Sequence, residues 1–323
     1  MRVLVSGSNG FVGTALVARL RAEGHEVHRL VRSQPGTGEV GIDLGARRID
    51  ASRLPGGSLE GLDAVVNLAG EPITPARWGA SKRERIRSSR VETTAILART
   101  LATLASPPEV LVSGSAIGYY GDRGDELLAE GCRPGTGFLP EVCSAWEHAT
   151  SPAAARGIRV VKVRTGIVLG PGGGLLGRLL ALFRAGLGGR LGSGWQWTSW
   201  IALEDEVRVL IHAATRGDLD GVLNATSPEP VRNKELTATL AAQLGRPALL
   251  NVPGVAIRLG LGERTASELV LASQRVVPER LFATGFAYSH PDIASAITAA
   301  IGEAAARGPG SETDATKEAT AAP

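Results

Sequence analysis

The sequence predicts an α/β protein built on a doubly wound parallel sheet, with a smaller α+β part towards its C-terminal end. Three observations support this prediction. Short, β-branched apolar runs alternate with helical segments over residues 1–170, a glycine-rich turn joins the first run to the first helix, and the alternation stops after about residue 170. Strand–helix alternation indicates βαβ units, whose crossovers are right-handed.

The first 31 residues are predicted to form a strand, a turn, a helix and a second strand. Val3–Val5 is a short apolar run typical of a strand buried in a parallel sheet. Apolar residues then recur at helical spacing over 16–20, and Gly24 is suited to end that helix. Residues 25–31 supply the second strand.

The remaining elements of this part follow the same alternation. Strands are predicted at Ala64–Leu68, Val110–Ser113 and Val160–Val163, and helices at Ser81–Leu104 and Glu141–Arg156. We therefore assign residues 1–170 to one α/β domain, whose sheet later segments complete.

The rest of the chain is assigned to a smaller substrate or lid region over residues 171–300. Glycine-rich loops lie at 170–174 and 186–194. Helices are predicted at 204–216, 233–244 and 255–273. Residues 303–323 show no periodicity and are predicted to be a disordered tail.

Composition excludes several classes of protein. The chain has 323 residues, 43% of them hydrophobic, which is incompatible with wholesale disorder. No run approaches the roughly 18 apolar residues that span a bilayer, so no membrane association is expected. The chain starts directly on a strand-like segment without a secretory leader. Its two cysteines, Cys132 and Cys143, cannot build a disulfide framework, which predicts reduced thiols and a cytoplasmic location.

The basic charge does not predict nucleic-acid binding. The formal net charge is only +3, and the densest basic cluster, residues 82–90, surrounds most of a helix. Such a distribution indicates a solvated helix surface. We expect a small-molecule partner, and the sequence does not predict an oligomeric state.

The glycine turn is the first motif with chemical meaning. Gly7, Gly10 and Gly13 are spaced G-x-x-G-x-x-G and lie between the first strand and the first helix. Glycines there allow a tight turn and a close backbone approach to a pyrophosphate, and the helix N-terminus offers free N–H groups. The alternative is a tight turn without a ligand; the context favours a Rossmann-like dinucleotide site.

The end of the second strand selects the dinucleotide. An NAD site would place an acid there for the ribose 2′-hydroxyl, whereas the sequence has Val31-Arg32-Ser33. An arginine favours the 2′-phosphate of NADP(H). The predicted cofactor is therefore NADP(H), with Arg32 on its 2′-phosphate. In the alternative interpretation, Arg32 is an arginine at the strand end that faces solvent.

Several segments resemble a known superfamily, the extended short-chain dehydrogenases/reductases of the NAD-dependent epimerase/dehydratase type. The first set is Gly7–Gly13, Asn67–Gly70 and Arg164–Gly170. Longer segments are similar to one atypical branch, the epimerase family proteins: NLAGEPI (67–73), SRVETT (89–94), SAIGYYGDRGDE (115–126), residues 197–201 and PERLFATGF (278–286). That branch carries its own small C-terminal domain, here about residues 250–298.

The resemblance implies which residues contact the cofactor. The glycine loop and the arginine after the second strand would hold the phosphates, the 68–70 segment would line the nicotinamide side, and the SRVETT helix would contribute a cation. The cofactor residues so predicted are Gly7, Asn9, Gly10, Phe11, Val12, Gly13, Val31, Arg32, Leu68, Ala69, Gly70, Arg85, Arg90 and Val168.

One departure from the superfamily matters for catalysis. Short-chain reductases carry Tyr-x-x-x-Lys on a helix, where a tyrosine with a lowered pKa exchanges the substrate proton. The resemblance aligns Leu139 with the tyrosine and Cys143 with the lysine. Leu139 cannot carry a proton, so the usual pair is absent.

Substitutes for the missing pair are predicted nearby. Ser115 corresponds to the catalytic serine of the family, and Tyr119 and Tyr120 follow it; their alternative role is aromatic packing. Cys143 as a nucleophile and His148 as a catalytic base are less favoured than structural roles. No metal site is predicted.

On the substrate side, three tryptophans within 195–200 either stack on a sugar or planar ring or pack a lid. Asp205 is interpreted as a helix-end charge, and arginines at 178, 184 and 190 as possible contacts for an anionic substrate. The predicted function is an NADP(H)-dependent oxidoreductase acting on a small carbonyl or hydroxyl compound. A non-catalytic NADPH-binding regulator or scaffold is the alternative, and a nucleotide-sugar epimerase is a third, disfavoured by the missing tyrosine.

Overall fold

A computed structural model describes residues 1–32, 34–73 and 76–307 of the chain. The strands are β1 Arg2–Ser6, β2 Glu26–Val31, β3 Glu39–Asp43, β4 Arg48–Asp50, β5 Ala64–Asn67, β6 Val110–Ala116, β7 Leu127–Leu128, β8 Arg159–Thr165, β9 Ile167–Leu169, β10 Gly189–Leu191, β11 Trp197–Thr198, β12 Trp200–Ala202, β13 Gly221–Ala225, β14 Val231–Arg232, β15 Leu250–Val252 and β16 Arg275–Val276. The helices are α1 Phe11–Ala22, α2 Ala80–Ala102, α3 Phe138–His148, α4 Ser151–Ala155, α5 Gly174–Arg184, α6 Leu203–Thr215, α7 Asn233–Leu244, α8 Gly254–Leu261, α9 Glu263–Thr265, α10 Glu279–Ala283 and α11 Ile293–Arg307.

Eight strands form one sheet in the order β13-β8-β6-β5-β1-β2-β3-β4. All neighbours are parallel except β3 and β4, which are antiparallel. Strands β2, β3 and β4 lie on one side of β1, and β5, β6, β8 and β13 lie on the other side. The strand order therefore reverses between β1 and β5. Ligands of such sheets bind in the crevice outside the carboxyl ends of the strands at that reversal. The predicted fold class is confirmed.

Each face of the sheet is covered by helices. On one face α1 and α6 pack through residues such as Leu16 and Leu210 against β-branched side chains of the central strands. On the other face α2 and α4 do so, through residues such as Leu97 and Ala153. Burial of the sheet on both faces explains why its central strands are continuous apolar runs rather than alternating ones.

A separate core supports the smaller C-terminal part. Side chains of α5, α7 and α11 surround Trp200, which is fully buried. Part of this region returns to the large sheet, because β13 pairs with β8 in parallel. The smaller part is therefore anchored to the strand ends where the crevice lies.

Several element predictions were wrong in their bounds. The helix predicted over 141–156 is split into α3 and α4, and Pro152, which lacks an N–H, stands in the first turn of α4. The helix predicted over 255–273 is interrupted at Gly262, whose φ is +80°. Strands β3 and β4 were not predicted. The last helix extends to Arg307, beyond the predicted start of the tail at 303; residues 308–323 of that tail lie outside the described residues.

Within the described part of the chain, no helix has the length and apolar character needed to cross a membrane.

Candidate functional site: a glycine-lined crevice

The turn between β1 and α1 is too tightly packed for side chains at two of its glycines. Gly7 has a φ of +66°, and a Cβ there would lie 2.5 Å from the carbonyl oxygen of Leu68. A Cβ at Gly13 would lie 2.1 Å from the carbonyl oxygen of Gly7. These positions require glycine because the turn lies directly against β5 and the start of α1.

The N-terminus of α1 opens into the crevice. Gly10 is the N-cap residue and supplies no side-chain cap, and Asn9 and Gly10 are exposed. Free N–H groups at the positive end of a helix dipole form a ready anion site. This backbone fits the pyrophosphate of a dinucleotide, as predicted for the loop.

The two apolar residues that follow have packing roles. Phe11 lies under the second glycine loop, where a Cβ at Gly173 would meet its ring at 2.6 Å. Val12 is half-buried and packs against the core of the sheet. Phe11 and Val12 therefore position the loop, and any contact with a cofactor stays a prediction.

A buried hydrogen-bond network fixes the segment after β5, next to the glycine turn. The Ser6 hydroxyl donates to Asn67 Oδ1 at 2.5 Å, and Asn67 Nδ2 donates to the Thr94 hydroxyl at 2.7 Å. Trp146 Nε1 also donates to Thr94, at 2.9 Å. The Ser6 hydroxyl accepts the N–H of Ala69 at 3.3 Å. The Leu68–Gly70 segment is thereby held at the carboxyl end of β5.

The end of β2 carries a positive charge that lacks an acidic partner. Val31 is buried and Arg32 is exposed. Arg29, three residues before Arg32, forms an ion pair with Glu39, whereas no carboxylate of the described residues forms an ion pair with Arg32. The Glu71 carboxylate, whose charge interacts with Arg32, is itself paired with Lys82 at 2.7 Å. An unneutralised arginine at this position fits the 2′-phosphate of NADP(H).

Arg90 brings a second cation to the crevice, from α2. Its guanidinium carbon lies 2.9 Å from the position of a Cβ on Gly70 and 5.3 Å from the centre of the Trp146 ring. Burial lowers its pKa from the ordinary value of 12.5, and no carboxylate among the described residues forms an ion pair with it. Arg85 differs, because it is exposed and pairs with Glu71 at 3.7 Å.

Val168, the last predicted cofactor residue, lies on β9. It pairs with Ile201 of β12 and is half-buried against the core. The structure therefore brings the glycine loop, the Leu68–Gly70 segment and Arg90 together, and leaves Arg85 at the rim.

Ser115, the predicted catalytic serine, is part of a buried polar cluster. Its hydroxyl donates to Glu147 Oε1 at 2.7 Å. The same carboxylate forms a two-bond ion pair with Arg164, at 2.7 and 2.9 Å. Although burial lowers the pKa of Arg164, its hydrogen bonds with Glu147 raise it overall. The Ser115 proton is therefore directed at Glu147, while its oxygen retains capacity to accept a hydrogen bond.

The two neighbouring tyrosines have different environments. Tyr120 is fully buried; its hydroxyl donates to Asn224 Oδ1 at 2.7 Å and accepts from Arg164 at 3.0 Å. Burial raises the pKa of Tyr120 to about 12. These contacts favour a structural role and do not support the predicted catalytic one. Tyr119 is half-buried, the Arg164 guanidinium carbon lies 3.4 Å from its ring centre, and its hydroxyl has no hydrogen-bond partner in the described part of the chain.

The positions of the usual catalytic pair are apolar. Leu139 packs with Trp78, Val142 and Leu269. Cys143 is buried, and that burial, together with the nearby Glu147 charge, raises the pKa of its thiol to about 12. A neutral, buried thiol is a poor nucleophile. No cluster of three or more metal-ligating side chains occurs among the residues described.

Three important residues were not predicted. Glu147 and Arg164 form the buried ion pair, and Glu268 accepts the N–H groups of Phe138 and Leu139 at 3.1 and 2.7 Å. Glu147 lies one helical turn after Cys143, so a charged residue on the buried face of that helix was a usable signal. Nothing local indicated Glu268, which is distant in sequence from the helix that it caps.

The substrate-side tryptophans separate into two groups. Trp200 is fully buried, so it packs the lid and cannot stack on a substrate. Trp195 is 58% exposed. Asp205 of α6 is fully buried and accepts hydrogen bonds from the N–H groups of Ser289 and His290 at 2.7 and 2.9 Å. These bonds hold the segment before α11 against α6. Arginines 178, 184 and 190 are exposed.

A parallel sheet with a bare glycine turn at its strand reversal defines a dinucleotide-binding protein of the Rossmann type. Sequence comparison specifies the family: the chain belongs to the NAD dependent epimerase/dehydratase family, which matches residues 3–225. A domain of unknown function, DUF1731, matches residues 252–300. The resemblance inferred from the sequence is thus confirmed.

Curated relatives and solved structures match the chain over nearly its whole length. An epimerase family protein of Mycobacterium bovis is 42% identical over 295 residues, covering 91% of this chain and 96% of that protein. Human epimerase family protein SDR39U1 is 39% identical, covering 92% and 98%. The crystal structure of human SDR39U1 (isoform 2) with NADPH has a TM-score of 0.84 at 37% identity, covering 93% of this chain and 99% of that one.

A more distant solved structure shows the fold alone. MoeE5 in complex with UDP-glucose and NAD has a TM-score of 0.74 at 24% identity, covering 95% of this chain and 99% of that one.

Proposed function

We propose that this protein binds NADP(H) and acts as an oxidoreductase on a small carbonyl or hydroxyl compound. The observation that carries the cofactor assignment is the unneutralised Arg32 beside the glycine-lined crevice, where an NAD site would have an acid. The NADPH held by the human relative in its crystal structure supports the same cofactor. When bound, NADPH supplies a hydride for transfer to a carbonyl carbon.

Tyr119 is the residue that we assign to the substrate proton. Its hydroxyl is free of hydrogen bonds to described residues, and the Arg164 guanidinium places a positive charge over its ring. Reduction of a carbonyl requires a proton for the substrate oxygen, which the Tyr119 hydroxyl donates and then recovers from solvent. Ser115, whose proton points at Glu147, accepts a hydrogen bond from the substrate or product hydroxyl.

Arg90 supplies the positive charge that the usual lysine would give. Its guanidinium carbon lies 5.3 Å from the ring centre of Trp146, which is on α3 three residues after Cys143, the lysine position of the family. It is half-buried, donates to the carbonyl oxygen of Ile86 at 3.0 Å, and forms no ion pair with a carboxylate of the described residues. Holding such a charge away from water is costly unless a ligand compensates it, so we assign Arg90 to orienting the cofactor.

A matched pair of tyrosine variants tests the catalytic part. NADPH oxidation is followed with a panel of small aldehydes and ketones, and NADPH binding is measured separately by fluorescence. For any compound that is turned over, Tyr119→Phe is expected to lower kcat at least ~100-fold with little change in NADPH affinity. The control Tyr120→Phe is expected to lower stability, with a smaller loss of turnover. Equal turnover in wild type and Tyr119→Phe would contradict the assignment.

The second candidate function is a non-catalytic NADPH-binding regulator or scaffold. The apolar surroundings of Leu139, at the usual tyrosine position, favour it. Tight NADPH binding without oxidation by any member of the panel would support this candidate over the oxidoreductase. In either case we place the protein in the cytoplasm, where its two free cysteines would stay reduced.

A further inference from the structure

The smaller C-terminal part presents a group of apolar side chains to solvent. We call this group the leucine surface; its members are Leu182, Leu187, Leu249, Leu250, Val255 and Leu259. They are six of the nine large apolar side chains that are exposed in the described part of the chain. Single exposed leucines are ordinary, but a contiguous apolar patch marks a binding surface.

Backbone hydrogen bonds place the leucines beside one another. The N–H of Leu187 donates to the carbonyl oxygen of Leu182 at 2.9 Å, and the N–H of Leu250 donates to the carbonyl oxygen of Gly188 at 3.3 Å. Strands β10 and β15 pair in parallel. The segments that carry Leu187 and Leu249 therefore run side by side.

Helix α8 extends the leucine surface. It begins one residue after β15, and only Ile257 of its eight residues is buried. Val255 and Leu259 are 65% and 74% exposed, and because they are four positions apart they lie on one side of the helix. This side of α8 is apolar and is covered by none of the described residues.

The segments that form the leucine surface contain arginine but no acid. Residues 171–203 and 236–262 carry five arginines and no aspartate or glutamate, although the whole chain has 32 acidic residues against 35 basic ones. Arg184 and Arg246 lie two and three residues from leucines of the surface, are exposed, and form no ion pair with a described residue. Arg258 pairs with Glu263 at 3.1 Å. The leucine surface is therefore flanked by positive charge that is only partly neutralised.

The charge and the shape of the leucine surface favour an anionic bilayer as its partner. A second copy of this chain is disfavoured, because a two-fold interface would bring the same arginines of both copies together. A groove for a peptide helix holds its apolar side chains in a concavity, whereas Leu249 and Leu259 are 84% and 74% exposed and project into solvent. Projecting leucines suit insertion at a lipid interface, and neighbouring arginines are attracted to its negative charge.

We propose that the leucine surface binds the surface of a bilayer that contains anionic phospholipid, with Leu249 and Leu259 inserted at the interface and Arg184 and Arg246 contacting headgroup phosphates. The sequence prediction of no membrane association rests on the absence of a spanning run, which such adsorption does not need. The proposal goes beyond the proposed reductase activity and does not depend on it.

Cosedimentation with lipid vesicles tests the proposal. The full chain is mixed with vesicles of phosphatidylcholine alone, or of phosphatidylcholine and phosphatidylglycerol in equal parts, and the bound fraction is measured against lipid concentration. We expect binding to be at least ~10-fold tighter when phosphatidylglycerol is present, because anionic lipid attracts the unpaired arginines. Added salt should weaken this binding.

Two double variants separate the apolar part of the surface from the charged part. Leu249→Ser with Leu259→Ser should weaken binding to phosphatidylglycerol vesicles at least ~10-fold, because two inserted apolar side chains are lost. Arg184→Gln with Arg246→Gln should weaken it by about fivefold for each arginine. All four side chains are exposed, so both variants should keep the circular dichroism spectrum and the NADPH affinity of wild type.

Matched control variants lie outside the leucine surface. Leu127→Ser replaces a leucine that is 50% exposed, and Arg156→Gln replaces an exposed arginine. Both should bind phosphatidylglycerol vesicles as wild type does. Equal weakening in these controls would show that the effect is not specific to the leucine surface and would overturn the proposal.

Three other results would also overturn the proposal. They are absence of wild-type binding to phosphatidylglycerol vesicles, equal binding to both kinds of vesicle, and unchanged binding by the double leucine variant. Sedimentation velocity without lipid tests the rival occupant: a dimer that the double leucine variant abolishes, in a protein that does not bind vesicles, would identify a second copy. Loss of NADPH binding from the wild type would contradict the proposed function and leave vesicle binding as it is.

Discussion

Arg164 and Glu147 form a buried ion pair in which two parallel hydrogen bonds, of 2.7 and 2.9 Å, join β8 to α3. The pair holds two of the three hydroxyl groups predicted for catalysis: Ser115 donates to the carboxylate, and Tyr120 accepts from the guanidinium. The polar side chains at the carboxyl end of β6 therefore depend on one ion pair for their positions.

Breaking this pair should destabilise the fold. Glu147→Gln leaves the Arg164 charge buried without a counter-charge, and we expect the free energy of unfolding to fall by about 3–5 kcal/mol. Urea denaturation followed by circular dichroism measures it. The control Glu92→Gln removes an exposed carboxylate of α2 and should change the stability by less than about 0.5 kcal/mol. A Glu147→Gln protein as stable as the control would show that the pair does not support the site.

Glu206 should make stability depend on pH. This residue is buried, with one carboxylate oxygen accepting from the Thr165 hydroxyl at 2.8 Å and the other unpartnered. Burial raises its pKa from 4.5 to about 8. The folded state therefore keeps a proton that the unfolded state loses above pH 4.5, so the free energy of unfolding falls as pH rises from 4.5 to 8 and levels off above.

The variant Glu206→Gln removes that titration while keeping the shape. Relative to wild type, we expect it to gain about 1–4 kcal/mol of stability between pH 5 and pH 8.5. Chemical denaturation of both proteins across this range measures the difference. Parallel pH profiles for the two proteins would show that Glu206 is not protonated in the folded state.

The C-terminal domain is tied to the helix that carries Leu139. Glu268 accepts two N–H groups at the N-terminus of α3, a capping arrangement formed between distant parts of the chain. Glu268→Ala should cost about 1 kcal/mol, the usual value of a lost N-cap. Thermal unfolding measures the loss, and Glu263→Ala, in the same region but exposed, is the control. Equal melting temperatures would contradict the capping role.

The sequence predicted the parts of the site that depend on local backbone demands. Gly7 and Gly13 are required by close contacts within one strand–turn–helix unit, so their spacing alone indicated the crevice. The position of Arg32 was predictable because it follows the apolar run of β2, and its contact with a cofactor stays a prediction. In contrast, the roles of Ser115 and Tyr120 depend on Glu147 and Arg164, which lie on other elements. A hydroxyl that is free and one that is bonded look the same in sequence.

The fold shows the same division between local and distant determinants. The central strands were predicted because burial on both faces makes them continuous apolar runs. Strand β4 was missed because it is short and mostly exposed at the sheet edge. The helix predicted over 255–273 was wrong because its apolar spacing continues across Gly262, where the backbone turns.

The comparison of NADPH and NADH binding to wild type and Arg32→Ala tests the central claim most directly. Dissociation constants are measured by the fluorescence of the bound reduced cofactor. We expect wild type to bind NADPH at least ~10-fold more tightly than NADH, since one charge-assisted contact to a phosphate is worth about 1.5–3 kcal/mol. Arg32→Ala should remove this preference mainly by weakening NADPH binding. Equal affinities for both cofactors in the wild type, or an unchanged preference in Arg32→Ala, would contradict the account.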